Sequence, residues 1–385
     1  MKKAGKILAV LVASAMVLAG CAKTGASSGN VIKIGVFEPM TGANAAGGAM
    51  EVEGIKLANE MYPTVTIDGK EYKVELVIAD NKSDKVEAAN AAQRLVDSDK
   101  VSVVLGSWGS SLSMAAGPIV KDAKIPAIGL SCTNPLVTLD NEYYFRVCFI
   151  DPFQGTVMAN YAFNEAKAKT AVIVQEVSND YSVGLAKYFT DNFKKLTGND
   201  KCILSVLNYN TGDQDFTAQL TTIKSLKPDV IFAPGNYTES ALVIKQAREL
   251  GIKVPFLGGD TWETPEFIDV GKDKVEGATF STFFAVEGAT SNVAKTFLDA
   301  YTKKYNKAPA AVTALGFDGY ILAINAIKTA NTLDTTKIRD AIAATSGFEG
   351  ATGTINLGAD RNAVKSAFIK SVKDGKFAYQ TVVNP

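Results

Sequence analysis

The sequence predicts an α/β protein made of two doubly wound parallel-sheet lobes. Three observations carry that expectation. From Val31 onward, short β-branched runs alternate with segments of helical apolar spacing, an order that places parallel strands between two layers of helices. A second series of the same kind starts near Phe153. The 364 residues after position 21 are too many for one compact core and suit two domains of ordinary size.

The chain opens with Lys2, Lys3 and Lys6, then an apolar run from Ile7 to Leu18 that ends near Cys21. That run is well short of the ~20 residues that span a bilayer as a helix, so it reads as an export leader and not an anchor. Leu18-Ala19-Gly20-Cys21 is similar to the bacterial lipoprotein signal, which implies a signal peptide over 1–21 and lipid attached to the Cys21 sulfur. The expected location is extracytoplasmic, with the membrane reached through the lipid anchor only. Residues 22–30 form a flexible leash.

The first lobe begins with strand Val31 to Phe37 and helix Gly48 to Tyr62, in which Met50, Ile55, Ala58 and Met61 fall near helical spacing. Asp68-Gly69 between Val65/Ile67 and Tyr72/Val74 is the two-residue hairpin signal. Strand Lys73 to Ala79, helix Asp84 to Val96, strand Val101 to Leu105, helix Leu112 to Lys121 and strand Ile125 to Leu130 follow. The second lobe reads as a helix near Phe153, strand Thr170 to Gln175, helix Val183 to Leu196, strand Cys202 to Leu207 and helix Phe216 to Ser225. Strand Val230 to Ala233, helix Glu239 to Leu250 and strand Val254 to Leu257 continue it. From Thr279 the tail gives strand Thr279 to Phe284, helices Val293 to Tyr305 and Thr313 to Thr329, and strands near Thr354 to Leu357 and Ala367 to Val372. It is too short for a third domain and is expected to complete the first two. In open α/β sheets ligands bind beyond the carboxyl ends of strands, so the cleft between the lobes is the expected site.

Composition removes several functions. The chain has 40 basic and 40 acidic residues, and without the leader 37 and 40, so no basic field for nucleic acid exists. It has no histidine, which excludes Ser-His-Asp and Cys-His catalysis and histidine-bearing zinc sites. There is no Walker A or G-x-G-x-x-G run and no G-x-S-x-G nucleophile elbow between a strand and a helix, so only carboxylate-based enzyme chemistry survives. Cys132, Cys148 and Cys202 are an odd set and define no disulfide framework. No metal or cofactor is expected.

Three segments carry a family resemblance: Ile34-Gly35-Val36-Phe37-Glu38-Pro39-Met40-Thr41-Gly42, Gly212-Asp213-Gln214-Asp215-Phe216-Thr217-Ala218-Gln219-Leu220, and Gly258-Gly259-Asp260. They resemble the leucine/isoleucine/valine-binding group of type I periplasmic binding proteins, the solute receptors of ABC amino-acid importers. The resemblance implies two lobes joined by three crossovers near Arg146 to Asp151, Thr282 to Ala285 and Glu349 to Gly353. Lobe 1 is then 31–148 with 284–350, and lobe 2 is 149–283 with 351–385. It further implies an amino acid as ligand, the permease subunits of an importer as partners and a monomeric receptor. A lipid-anchored sensor, or a receptor for another polar solute such as an amide, is the alternative.

The site residues follow partly from pattern and partly from the resemblance. Gly106-Ser107-Trp108-Gly109-Ser110-Ser111 lies between a strand and a helix, so backbone N–H groups and Ser110 can face an anion, or Ser110 can simply cap the helix. The resemblance implies a carboxylate site at Gly109 and Ser110, with Trp108 as an apolar wall. It gives Thr133 as a second carboxylate donor, the Ser131 carbonyl as ammonium acceptor and Cys132 as a small wall residue. Asp260 matches the acidic partner of the ammonium, although a turn-capping role fits the same position. Tyr181 matches an aromatic that closes the second lobe, or it starts a helix at the solvent edge. Asn236 and Tyr237 are both candidates for one pocket position. Where relatives often have a tyrosine before a glycine, Gly47-Gly48 stands here; either the pocket is wider or Trp108 fills the vacancy.

Overall fold

The computed structural model describes residues 30–385; Cys21, the leader and nearly all of the leash lie outside them. β1 (Val31–Glu38) is the spine of the first lobe, since its apolar residues from Ile32 to Phe37 are buried on both faces and it pairs along both edges. α1 (Ala45–Met61) follows. The Asp68-Gly69 turn, with φ of 47° and 70°, then joins β2 (Thr64–Ile67) antiparallel to β3 (Lys70–Asp80). Asp84 caps α2 (Lys85–Asp97) by accepting from the Val86 and Glu87 amides. β4 (Val103–Leu105), α3 (Ser110–Asp122), β5 (Ala127–Gly129) and β6 (Tyr144–Arg146) complete a sheet of order β2-β3-β1-β4-β5-β6. The chain winds from β1 to one edge through β3, then to the other through β4, so the carboxyl ends of β1 and β4 flank a topological switch point.

The second lobe repeats the design. α4 (Asp151–Asn164), β7 (Ala171–Glu176), α5 (Asp180–Thr197), β8 (Ile203–Tyr209), α6 (Thr217–Leu226), β9 (Val230–Phe232), α7 (Tyr237–Glu249) and β10 (Phe256–Gly258) alternate as the sequence predicts. After α8 (Pro265–Gly271), β11 (Thr279–Thr282) extends the parallel sheet, with β7 and β9 at its switch point.

The tail is divided between the lobes, as its length suggests. α9 (Asn292–Tyr305), α10 (Ala311–Ala330) and α11 (Thr335–Ala343) return to the first lobe, where α10 packs along α1. α10 is apolar and long enough to cross a bilayer, yet most of its residues are buried here as a core helix. β14 (Ala367–Lys373) and β15 (Lys376–Val383) add antiparallel strands beyond β11.

One passage lies elsewhere than expected. β12 (Phe348–Gly350) and β13 (Gly353–Ile355) form a separate hairpin on α9 and α10, so Glu349 to Gly353 lies within this hairpin, which turns at Ala351 and Thr352, and is not a crossover. Arg361 and Asn362 remain with the first lobe, the Arg361 carbonyl accepting from the Arg146 amide and Asn362 accepting from Thr138. The chain enters the second sheet only at Ala367.

Glu263 ties these passages together. Its carboxylate accepts from the Lys370 ammonium at 2.7 Å, from Thr282 and from the Ala311 amide, joining β14, β11 and the start of α10. Glu263→Ala leaves the buried Lys370 ammonium unpaired and should cost about 3–5 kcal/mol in chemical denaturation. Adding Lys370→Met should recover much of that loss.

Candidate ligand site between the lobes

The carboxyl ends of the strands in both sheets face one cavity of about 100 Å³. The first lobe lines it with Asn44 after β1, Ser83 after β3, Trp108 to Leu112 after β4 and Ser131 after β5. The second lobe contributes Glu176 to Tyr181 after β7, Thr211 after β8, Asn236 after β9 and Asp260 after β10. Of the residues expected at the site, Trp108, Gly109, Ser110, Ser131, Tyr181, Asn236 and Asp260 are brought together here.

Three others are not on this wall. Cys132 is buried behind it in the cluster between the first sheet and α2 and α3, because its thiol packs against Gly129 and Tyr144. Cys148 and Cys202 are also buried and unpaired. Thr133 is fully buried, and its hydroxyl lies by Asp151 with no hydrogen bond of good geometry. The Tyr237 hydroxyl donates to the Ala43 carbonyl at 2.8 Å and accepts from the Ala46 amide, so it joins the lobes while neighbouring Asn236 faces the cavity.

At one side of the cavity α3 starts on Gly109, whose φ of 93° suits a residue without a side chain. The first amides of this helix have no intrahelical acceptor and point out of its positive end. Ser110 is buried beside them and accepts from the Asn134 amide, which leaves its own proton free to donate. The loop carrying Ser131 is held from behind by Arg146, whose guanidinium donates to the carbonyls of Cys132 and Asn134 and to Thr138.

Opposite stands Asp260, 3% exposed, on a single 3₁₀ turn after β10. One of its oxygens accepts from Gln154 at 2.7 Å and from the Tyr181 hydroxyl at 3.0 Å. The close approach of Tyr181 needs Gly259, since a Cβ there would lie 2.1 Å from the hydroxyl. Burial pushes Asp260 up to about 7, against the hydrogen bonds from Gln154 and Tyr181. Burial also pushes Asp151 up to about 8 and Glu51 up to about 7, and the charge of Asp260 adds to both. Three buried carboxyls thus stand on or behind this wall, and Arg146 is the cation acting on Asp151. Such a cavity can hold a cation beside Asp260 and an anion at the start of α3.

Trp108 fills the vacancy left by Gly47. A Cβ on Gly47 would lie 2.5 Å from the indole, which is buried and meets the Tyr237 ring edge-on at 5.9 Å. Around the rim, Asp180 accepts from Lys85 and Ser111, Asn134 donates to the Asp180 carbonyl, and Asn236 donates to Asn44. The lobes are closed on each other.

This geometry has close relatives. A family model for periplasmic binding proteins matches residues 31–376. The chain belongs to the periplasmic binding protein family. It is similar to the crystal structure of a leucine binding protein, LivK, from Thermotoga maritima, with 42% identity and a TM-score of 0.88 over 92% of this chain and 99% of that one. It is also similar to LivJ, the branched-chain amino acid transporter substrate binding protein of Streptococcus pneumoniae solved with isoleucine. There the identity is 36% and the TM-score 0.85, over 92% of this chain and all of that one. The leucine-, isoleucine-, valine-, threonine- and alanine-binding protein of Pseudomonas aeruginosa is 29% identical over 94% of this chain and 93% of its own. This periplasmic binding protein is thus an extracytoplasmic solute-binding component of ABC transporters and not an enzyme.

Sequence reasoning missed Gln154, Arg146, Glu176 and the pair Glu38 and Glu51. Glu51 had a signal: it falls on the buried stripe of α1 with Gly47, Gly48, Ile55 and Ala58. The raised carboxyls make a prediction for the empty protein. Their folded pKa values exceed those of the unfolded chain, so between about pH 4 and pH 7 the folded state binds more protons and stability rises as pH falls. Thermal midpoints of the empty protein should increase from pH 8 to pH 5. Asp260→Asn should flatten that increase.

Proposed function

We propose that this periplasmic binding protein is a receptor for a free branched-chain amino acid, held as a zwitterion in the interlobe cavity and delivered to an ABC importer. The observation that carries the reading is the buried Asp260 carboxylate facing, across one cavity, the amino end of α3 and Ser110. Asp260 and the Ser131 carbonyl take the ammonium, while the α3 amides and Ser110 take the carboxylate. Trp108 and Leu112 supply apolar wall for the side chain, and Tyr181 and Asn236 close from the second lobe. The ligands of LivJ and of the Pseudomonas aeruginosa relative support the choice of an aliphatic amino acid.

The free protein samples open lobes; ligand docks on Ser110 and Ser131 and draws the second lobe over it. Closure follows only because the ligand contacts both lobes in the closed state. The leader and Cys21 support attachment to the membrane by lipid, with 22–30 as tether and the receptor acting as a monomer. Replacing Cys21 should abolish incorporation of labelled fatty acid.

Calorimetric titration of residues 22–385, which lack Cys21, should give binding of leucine, isoleucine or valine and none of the corresponding acids without the amine. Asp260→Ala should weaken binding by roughly 30- to 5,000-fold, the range for removing one partner of a buried charge pair. Affinity should fall as pH drops below about 7, because the free carboxyl is then protonated and binding must release that proton. Binding of a non-amino-acid solute alone would retain the fold and overturn the ligand.

A further inference from the structure

Two fully buried glutamates stand behind the cavity wall. Glu38 ends β1 and Glu51 lies on the inner face of α1, and their carboxyls are adjacent. The ion pairs buried among the described residues are Lys365–Asp318 and Lys370–Glu263, and neither glutamate takes part in them. Oε2 of Glu38 accepts from the Trp108 amide at 2.7 Å, while its Oε1 and both oxygens of Glu51 have no protein donor. Glu51 also faces the Ser131 hydroxyl, which is buried and completes no well-formed hydrogen bond.

Adjacent carboxylates in a dry interior do not both ionise, so one proton held between them supplies the missing donor. Glu51 then has a lone pair left for the Ser131 hydroxyl proton. Ser110, in the same lobe, already spends a lone pair on the Asn134 amide of the loop that carries Ser131.

We infer that the Glu38–Glu51 pair fixes Ser131 as a hydrogen-bond acceptor, opposite in polarity to the donor Ser110, and so positions the amino end of the ligand. The inference rests on the zwitterion reading above. Ser131 gives its proton backward to Glu51 and turns its free lone pair to the cavity, where an ammonium can donate to it. Ser110 has its lone pair engaged and turns its proton to the cavity, where a carboxylate can accept it. Two residues of one type thereby read the two ends of the ligand, and each is set by a partner behind it. The same pair anchors Trp108 through Glu38, so the apolar wall and the ammonium acceptor share one support. Glu51 is a positioning residue and need not touch the ligand.

Calorimetric titration with leucine of the protein carrying Glu51→Gln, Glu51→Leu, Ser131→Ala and Glu51→Leu with Ser131→Ala tests this. Glutamine can donate to Glu38 and accept from Ser131, so Glu51→Gln should stay within about threefold of the parent, while Glu51→Leu should lose between about tenfold and 150-fold. In the Ser131→Ala background Glu51→Leu should add less than about threefold, because the residue through which it acts is gone. Fully additive losses, or equal losses for Gln and Leu, would overturn the inference. If leucine at 51 prevents folding, the infrared difference spectrum between parent and Glu51→Gln at neutral pH must still contain the C=O stretch of a protonated carboxyl. Its absence overturns the shared proton. Loss of leucine binding in Asp260→Asn with indifference to Glu51→Leu removes only this inference, whereas a parent protein that binds no leucine, isoleucine or valine removes the zwitterion reading and this inference with it.

Discussion

The rest of the structure depends on burying Asp260 without giving it a cation. Removing a carboxylate from water costs several kcal/mol, and two neutral donors do not offset that cost in full. The fold nevertheless holds the group rigidly: α4 brings Gln154, α5 brings Tyr181, and Gly259 lets Tyr181 come close enough to donate. The charge of Glu263 makes the local field more unfavourable for the ionised form. The missing interaction is thus left for whatever enters the cavity. An ammonium supplies it, and a neutral solute of the same shape does not.

The same accounting bears on how the lobes stay closed. Asp180 meets Lys85 and Ser111 across the rim, but Lys85 and Asp180 are 53% and 41% exposed in their side chains. A pair so open to solvent contributes about 0–1 kcal/mol. The contacts of Asn236 with Asn44 and of Tyr237 with Ala43 and Ala46 are neutral hydrogen bonds, each worth roughly 0.5–1.5 kcal/mol against water. Such a rim can align two lobes, yet it gives closure no large margin over an open form that hydrates the same groups. The larger differential comes from a ligand that joins the first-lobe wall to Asp260.

Legibility in the sequence tracks how local each signal is. Strands such as Val31–Glu38 and Ala171–Glu176 are mostly apolar and rich in valine and isoleucine, and α2 and α5 have a capping residue and a helical stripe, so the alternation and the restart near Phe153 were readable. β6, α8, α11 and β15 were not, because they are short or, for β15, largely solvent-facing. The site divides the same way. The Gly-rich turn after a strand pointed to Ser110, and the family resemblance pointed to Trp108 and Asp260. The choice between Asn236 and Tyr237, the withdrawal of Cys132 and Thr133 behind the wall and the role of Arg146 depend on packing between distant segments, which no local pattern encodes. The third passage was placed too early for a related reason: the β12–β13 hairpin reads as extended chain, and only α9 and α10 determine which lobe it joins.

Trp108 shows how far selectivity can be derived. Its indole occupies the space that a side chain at position 47 would need, its ring rests on Tyr237 from the other lobe, and its amide is held by Glu38. The apolar wall is therefore fixed from three directions and cannot easily adapt to a different side chain. Burying a leucine-sized group against it contributes about 1.5–3 kcal/mol, and one methylene more or less changes that by only about 0.8 kcal/mol. Mispairing a buried charge costs more than either. On the zwitterion reading proposed above, such a receptor discriminates first on the presence of the amine and the carboxylate, and only weakly among aliphatic side chains of similar volume. The breadth of ligands named for its Pseudomonas aeruginosa relative, from leucine to alanine, is the pattern expected when the charged ends of the ligand carry most of the recognition.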